Sequence, residues 1–222
     1  FLLTQYNKIL KERNALLKTM KDGKAGVDYL DNWDLMLIEY GVEIYLKRKK
    51  IIDILNKKLE ANNIKASIFY KSFFDKSIKA ENKEDLYEVY KNKLLKNRDR
   101  EIRYGMSLIG VHRDNLNFIL HEKSVKKFGS QGQQRFLILN LKILIAEMIF
   151  EFTNEKPILI FDDVFSELDK NKIKEIVNIL SDKYQIFVSS VSIKEFEELF
   201  DKFNSKKIVE VERLVYEVDV KR

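Results

Sequence analysis

The chain has 222 residues, 45% of them hydrophobic, which suffices for one large domain or two small ones and excludes a chain that is mostly disordered. Lys and Arg number 41 against 35 acids; the formal charge of +6 admits a polyanion such as nucleic acid without demanding one, and most lysines are expected on solvated helix faces. No cysteine is present, which excludes disulfide frameworks, thiolate zinc sites and thiol nucleophiles and fits a reducing compartment.

There is no uncharged apolar run of about 18 residues and no signal-peptide pattern, so the sequence reads as soluble and cytoplasmic. Phe1 opens inside an apolar-periodic segment with no initiator Met, and the natural protein is expected to start earlier. From there to about Lys21, Leu3, Tyr6, Leu10, Leu17 and Met20 form one column and Leu2, Ile9 and Leu16 a second, which is helix spacing with a near-heptad seam. Gly23 and Gly26 break it. Asp31, with Asp34 in capping-box position, is expected to start a second helix whose apolar side carries Trp33, Leu37, Tyr40, Ile44, Ile51 and Leu55. The two helices should fold back as an antiparallel pair, each roughly 30 to 45 Å long at about 1.5 Å per residue.

IKASIFYKSFF, residues 64–74, alternates loosely and predicts a strand. Asn82 then caps a third helix through Leu86, Tyr90, Leu94 and Ile102 that stops at Gly105. After residue 105 the grammar changes. Short β-like runs at 107–111, 116–121 and 124–128 precede a long apolar helix. Strand 158–161, helix 170–180, strand 185–190, a short helix from Ile193 and two strand-like runs within 206–219 follow. Strand, helix, strand in that order implies an α/β fold with a partly parallel sheet.

SQGQQR, residues 130–135, opens the helix over 133–151, which is apolar except for a stripe of Asn140, Glu147 and Glu151 and is expected to be buried. Its polar start can hold an anion, because exposed amides and the dipole point outward, Gly132 lets backbone approach and Ser130 can donate a hydroxyl. On this stretch alone, a plain serine cap without a ligand is the stronger reading. ILIFDD ends an apolar strand in two adjacent carboxylates, Asp162 and Asp163, at the C-terminal end where α/β folds place ligands, and SELD with Asp169 starts another helix. An EF-hand would need a loop glycine that is missing, and a two-metal nuclease would need further acids that the sequence does not place. Charged caps on a solvent-facing turn remain the alternative.

His112, Arg113 and Asp114 lie in the β-rich region with His121; two histidines there read as packing or a turn rather than a zinc pair, and no kinase spacing accompanies HRD. Lys47, Arg48, Lys49 and Lys50, then Lys57 and Lys58, put positive charge along the second helix, as do Arg98, Arg100 and Arg103 on the third. Such residues can contact nucleic-acid phosphates without reading bases, or simply coat a solvated face.

Taken together, SQGQQR, ILIFDDVFSELD, GVHRDNLNF at 110–118, YNKILKERNALLK at 6–18 and the Trp33–Asp34 pair resemble the RecF family of bacterial recombination mediators, SMC-like ATPases with an ATP-binding-cassette head. The resemblance spans nearly the whole chain. It implies that Ser130, Gln131, Gly132 and Gln133 form the signature that contacts the γ-phosphate of nucleotide held by the other protomer. Asp162 would be the Walker B aspartate that holds Mg²⁺ through water. Asp163 takes the place of a glutamate that orients the attacking water, one methylene shorter, as base or as orienter. Asp169 would be the D-loop residue, and the switch position, often histidine, falls at Ser189 or Ser190.

No GxxxxGK[ST] occurs in the 222 residues. The resemblance therefore implies a fragment with a helical arm over 1–105 and the C-terminal half of the head over 106–222, unable to hydrolyse ATP alone. For the complete protein it implies ATP and Mg²⁺ as cofactors and an ATP-dependent homodimer on double-stranded DNA and single-strand gap junctions. It also implies RecR- and RecO-type mediators as partners, and roles in DNA replication, recombinational repair and the SOS response. Another SMC-like DNA ATPase, or a non-enzymatic arm-bearing interaction module, are the competing readings.

Overall fold

The computed structural model describes residues 1–24, 26, 29–74, 82–165, 168, 170–180 and 183–189. The expected helix from Ile193, the strand-like runs within 206–219, Ser190 and Asp169 lie outside the described residues. The chain packs as two compact units, Phe1–Leu137 and Ile138–Arg222, and the division falls inside a helix rather than at the change of grammar after residue 105.

In the first unit, α1 (Leu2–Lys21) and α2 (Leu30–Ala61) form the expected pair. Leu17 and Met20 meet Leu30 while Arg13 meets Asp34, so rising numbers on one helix face falling numbers on the other and the two run antiparallel. α3 (Lys83–Tyr104) runs along α1, with Tyr90 beside Tyr6 and Glu101 beside Arg13. Its ends match the sequence reading. Asn82 Oδ1 accepts the Asp85 amide at 2.8 Å, and Gly105 closes the helix at φ +68, a left-handed conformation that favours glycine. The core comprises Tyr6, Ile9, Leu37, Ile38, Val42, Leu86, Tyr90, Leu94 and Val111 among others.

The start of α2 differs from expectation. Its N-cap is Tyr29, without a side-chain cap bond, and neither Asp31 nor Asp34 caps the helix. Asp34 is buried instead. It accepts from Arg13 Nε at 2.6 Å and Arg98 Nη2 at 2.7 Å, and Asp31 accepts from the same Arg98 nitrogen at 2.7 Å. Cross-helix arginines took the carboxylates that spacing alone assigned to the backbone.

The strand expected over 64–74 is β1 (Ala66–Lys71), which pairs antiparallel with β2 (Asn115–Leu120) from Ala66↔Leu120 to Lys71↔Asn115. β3 (Lys123–Ser124) turns back on β2. Asn56 on α2 donates to the Ile68 carbonyl at 2.9 Å and accepts the Ile68 amide at 2.8 Å, so one side chain docks the helix onto the strand. Two of the short β-like runs are corrected. Residues 107–110 are irregular and lead into a 3-10 turn over Val111–Arg113, and β3 gives way to the single-turn helix α4 (Val125–Phe128). The amides of Ser107, Leu108 and Ile109 bond to side chains, and after Ser124 the backbone bonds locally, so neither stretch extends as a strand.

The second unit holds most of α5 (Gln131–Thr153), together with β4 (Leu159–Asp162), α6 (Lys170–Leu180) and β5 (Ile186–Ser189). β4 and β5 pair in parallel, from Leu159↔Ile186 to Asp162↔Ser189. The chain is thus an α/β protein with a parallel strand pair, as the order strand, helix, strand requires. Leu139, Ile143, Leu144, Met148, Phe161, Phe165, Ile173, Ile176 and Leu180 are buried. The exposed side of α5 is only partly the polar stripe. Glu151 is exposed and Glu147 half-buried, but Asn140 is buried, whereas Ile138, Ile145, Ile149 and Phe152 are 52, 44, 44 and 68% exposed.

Candidate nucleotide site and basic helix face

The polar tip of α5 belongs to the first unit. Ser130 Oγ accepts the Gln133 amide at 3.3 Å and Gln133 Oε1 accepts the Ser130 amide at 3.0 Å, a reciprocal capping box. Gln134 adds a bond from Nε2 to the Gly129 carbonyl at 2.9 Å. The box occupies Gln133 and leaves the amides of Gln131 and Gly132 without a partner among the described residues. Ser130 and Gln131 are exposed, and Gly132 and Gln133 half-buried. Such a tip offers outward amides, a hydroxyl and the positive end of a 23-residue helix, which suits an anion.

The acids lie in the second unit. Asp162 is exposed at the end of β4, and the Ser189 hydroxyl donates to its Oδ1. The Asp163 amide donates to both the Ser189 carbonyl and the Ser189 hydroxyl, each at 3.2 Å, and Asp163 itself turns the chain at φ +46. Oδ2 of Asp162 carries no hydrogen bond to a described residue. No cluster of three or more metal-ligating side chains gathers among the described residues. One or two exposed carboxylates at a strand end fit a cation that keeps most of its water, as Mg²⁺ does beside phosphates, and not one that needs an all-protein cage.

The basic run on α2 divides by exposure. Lys47, Lys49 and Lys50 are exposed, while Arg48 is half-buried, donates to the Val111 carbonyl at 2.7 Å and lies 3.8 Å from Asp114. On α3, Arg98 is spent on Asp31 and Asp34, with a side chain only 17% exposed.

GVHRD is a clasp. His112 Nδ1 bonds the Tyr6 hydroxyl at 2.8 Å and Nε2 lies 3.3 Å from the Ser107 carbonyl. Arg113 donates to that carbonyl at 3.1 Å. Asp114 accepts from the Tyr70 hydroxyl at 2.5 Å and the Phe73 amide at 3.2 Å. Burial pushes the His112 imidazole below its usual pKa, partly opposed by the Ser107 carbonyl, and pushes the Tyr6 hydroxyl up to about 12. Gly110, at φ +147, has room for no side chain: a Cβ there would lie 2.5 Å from both the Tyr6 and Tyr90 hydroxyls.

Sequence reasoning missed the ion cluster beside this clasp. Arg13, fully buried, reaches Asp34, Glu101 at 2.7 Å and the Ser107 hydroxyl at 2.7 Å, and Glu101 also accepts the Leu108 amide at 2.6 Å. The signal was present: Arg13 stands seven residues after Tyr6 and before Met20, inside the apolar column.

No protein-family model matches the chain. Curated relatives do, with 37% identity over 210 residues to the DNA replication and repair protein RecF of Oenococcus oeni, covering 89% of this chain and 55% of the relative. RecF of Halothermothrix orenii is 33% identical over 207 residues, covering 90% and 55%, and that of Bacillus cytotoxicus 38% over 202 residues, covering 88% and 54%. The chain is similar to RecF over about nine-tenths of its own length. A solved structure of the recombination mediator protein RecF-ATPrS in the RecFOR pathway superposes with a TM-score of 0.73 at 34% identity, covering 86% of this chain and 53% of that one. A RecF-ATP structure gives 0.71 at 34% identity. The chain spans about half the length of the RecF relatives it matches.

Proposed function

We propose that this chain supplies the arm, over 1–105, and the signature half of the head, over 106–222, of a RecF-type ATPase acting in DNA repair. In this reading the amides and hydroxyl of Ser130, Gln131, Gly132 and Gln133 bind the terminal phosphate of ATP held by a second copy, so that nucleotide joins two protomers. Asp162 holds Mg²⁺ through water, Asp163 orients the attacking water, and Asp169 crosses the same interface. Mg²⁺, when bound, offsets the charge of the phosphates. Lys47, Lys49 and Lys50, with Arg48 alongside, contact the DNA backbone at duplex and gap junctions. RecR- and RecO-type partners then receive the complex for recombinase loading in the cytoplasm.

One observation carries the reading. In a chain about one-third identical to RecF, Ser130 and Gln131 at a helix tip with anion-binding chemistry, and Asp162 and Asp163 at a strand end with cation-binding chemistry, are solvent-exposed. The test is Asp162→Asn in a protein as long as the RecF relatives, followed by phosphate release and equilibrium binding of labelled ATP. Turnover should fall by about 100-fold or more with ATP binding retained. Turnover at the unaltered rate would overturn the reading in favour of an arm-bearing interaction module.

A further inference from the structure

Asp162 and Ser189 end neighbouring parallel strands in register, and the next residue, Asp163, leaves the strand in a left-handed conformation that, glycine apart, aspartate and asparagine adopt more readily than other residues. Ser189 meets both acids. Its hydroxyl donates to Asp162 Oδ1 and accepts the Asp163 amide at 3.2 Å, while its carbonyl accepts that same amide at 3.2 Å. A hydroxyl that merely finished a strand would need one backbone acceptor; this one bridges a carboxylate and an amide of successive residues at the end of the neighbouring strand.

We infer that Ser189 is the positioning residue of the acid pair. By taking Oδ1 it fixes the Asp162 carboxylate with Oδ2 left for a hydrated cation, and by holding the Asp163 amide from two oxygens it sets the turn that aims the Asp163 side chain. The hydroxyl is well placed for this because Ser189 and Asp162 sit at the C-terminal ends of neighbouring parallel strands, where backbone pairing ends and side chains must complete the bonding. Partners that orient a metal-holding carboxylate govern metal affinity and rate although they touch neither metal nor substrate. The consequence for turnover rests on the ATPase reading above. The geometry does not.

Two measurements on Ser189→Ala and Ser189→Thr separate these. In the chain itself, amide hydrogen exchange at Asp163, referred to Phe161 and to α6, should quicken about fivefold in the Ala variant and stay near the parent rate with Thr. Unchanged exchange in Ser189→Ala overturns the geometry. In a full-length protein, Ser189→Ala should lower ATP turnover by about 10- to 100-fold and raise the Mg²⁺ concentration for half-maximal rate. Half-saturation by ATP should hold within about threefold, and Thr should restore the rate. Parent-like turnover and Mg²⁺ dependence in Ser189→Ala overturn the positioning role. An unmutated full-length protein without turnover would instead sink the ATPase reading, and the exchange result alone would then decide the role of Ser189.

Discussion

Arg13 illustrates how much one side chain can hold. Its guanidinium joins α1 to Asp34 of α2, to Glu101 of α3 and to Ser107 beyond it, fully out of water. Removing one member of such a cluster strands the others as buried charges, so Arg13→Met should destabilise the first unit by ~3–5 kcal/mol, read from urea unfolding. His112 gives a prediction with a sign. Its folded pKa lies below the ordinary 6.5, so between the two values the unfolded chain binds more protons than the folded one and stability rises with pH. The contribution of neutral His112 is complete above about pH 6.5 and is lost as pH falls through its folded pKa. Thermal melts of the parent and of His112→Gln from pH 7.5 to 5.5 should therefore converge as pH falls. Parallel curves would show that His112 keeps its proton balance on folding. Neither residue announced its role by type: a lone arginine in an apolar column and a histidine after a glycine become legible only when the elements they bridge are known.

At the scale of elements, most of the fold was readable because it follows from short-range chemistry. α3 begins at a side-chain cap and ends at a left-handed glycine, and α6 runs over the residues its periodicity marks. The failures share a cause. Asp31 and Asp34 lost the capping role to arginines from other helices, and residues 107–110 lost a strand to side chains of α1 and α3, partners that a local pattern cannot see. Asn56 is the converse case, a polar residue in the C-terminal part of α2 that looks like a solvated position and in fact holds β1 by its side-chain amide and carbonyl. Asn56→Ala should cost ~1–3 kcal/mol by removing both bonds, and amide exchange should rise at Ile68 before it rises in α3. Uniform acceleration would make Asn56 a generic packing residue.

At the scale of the whole molecule, the candidate site was legible as motifs and not as geometry. SQGQQR and ILIFDD name the capping box and the acid pair, whereas the bridge made by Ser189 depends on a strand register that only the fold supplies. For DNA, the exposure of Lys47, Lys49 and Lys50 and the engagement of Arg48 sharpen the expectation. In a full-length protein, replacing the three lysines by Gln should weaken duplex binding alike for all sequences and flatten the dependence of log K on log salt by up to about 3, near 0.9 for each phosphate no longer neutralised. Arg48→Gln should instead lower stability more than it changes that slope. An unaltered slope in the triple variant removes α2 from the DNA surface. Gly110 lies where α1, α3 and the turn bearing His112 converge, three pieces of chain remote in sequence. In a saturation screen its row should be blank even for alanine, so that the most intolerant position in the first unit would be one that contributes no side chain at all.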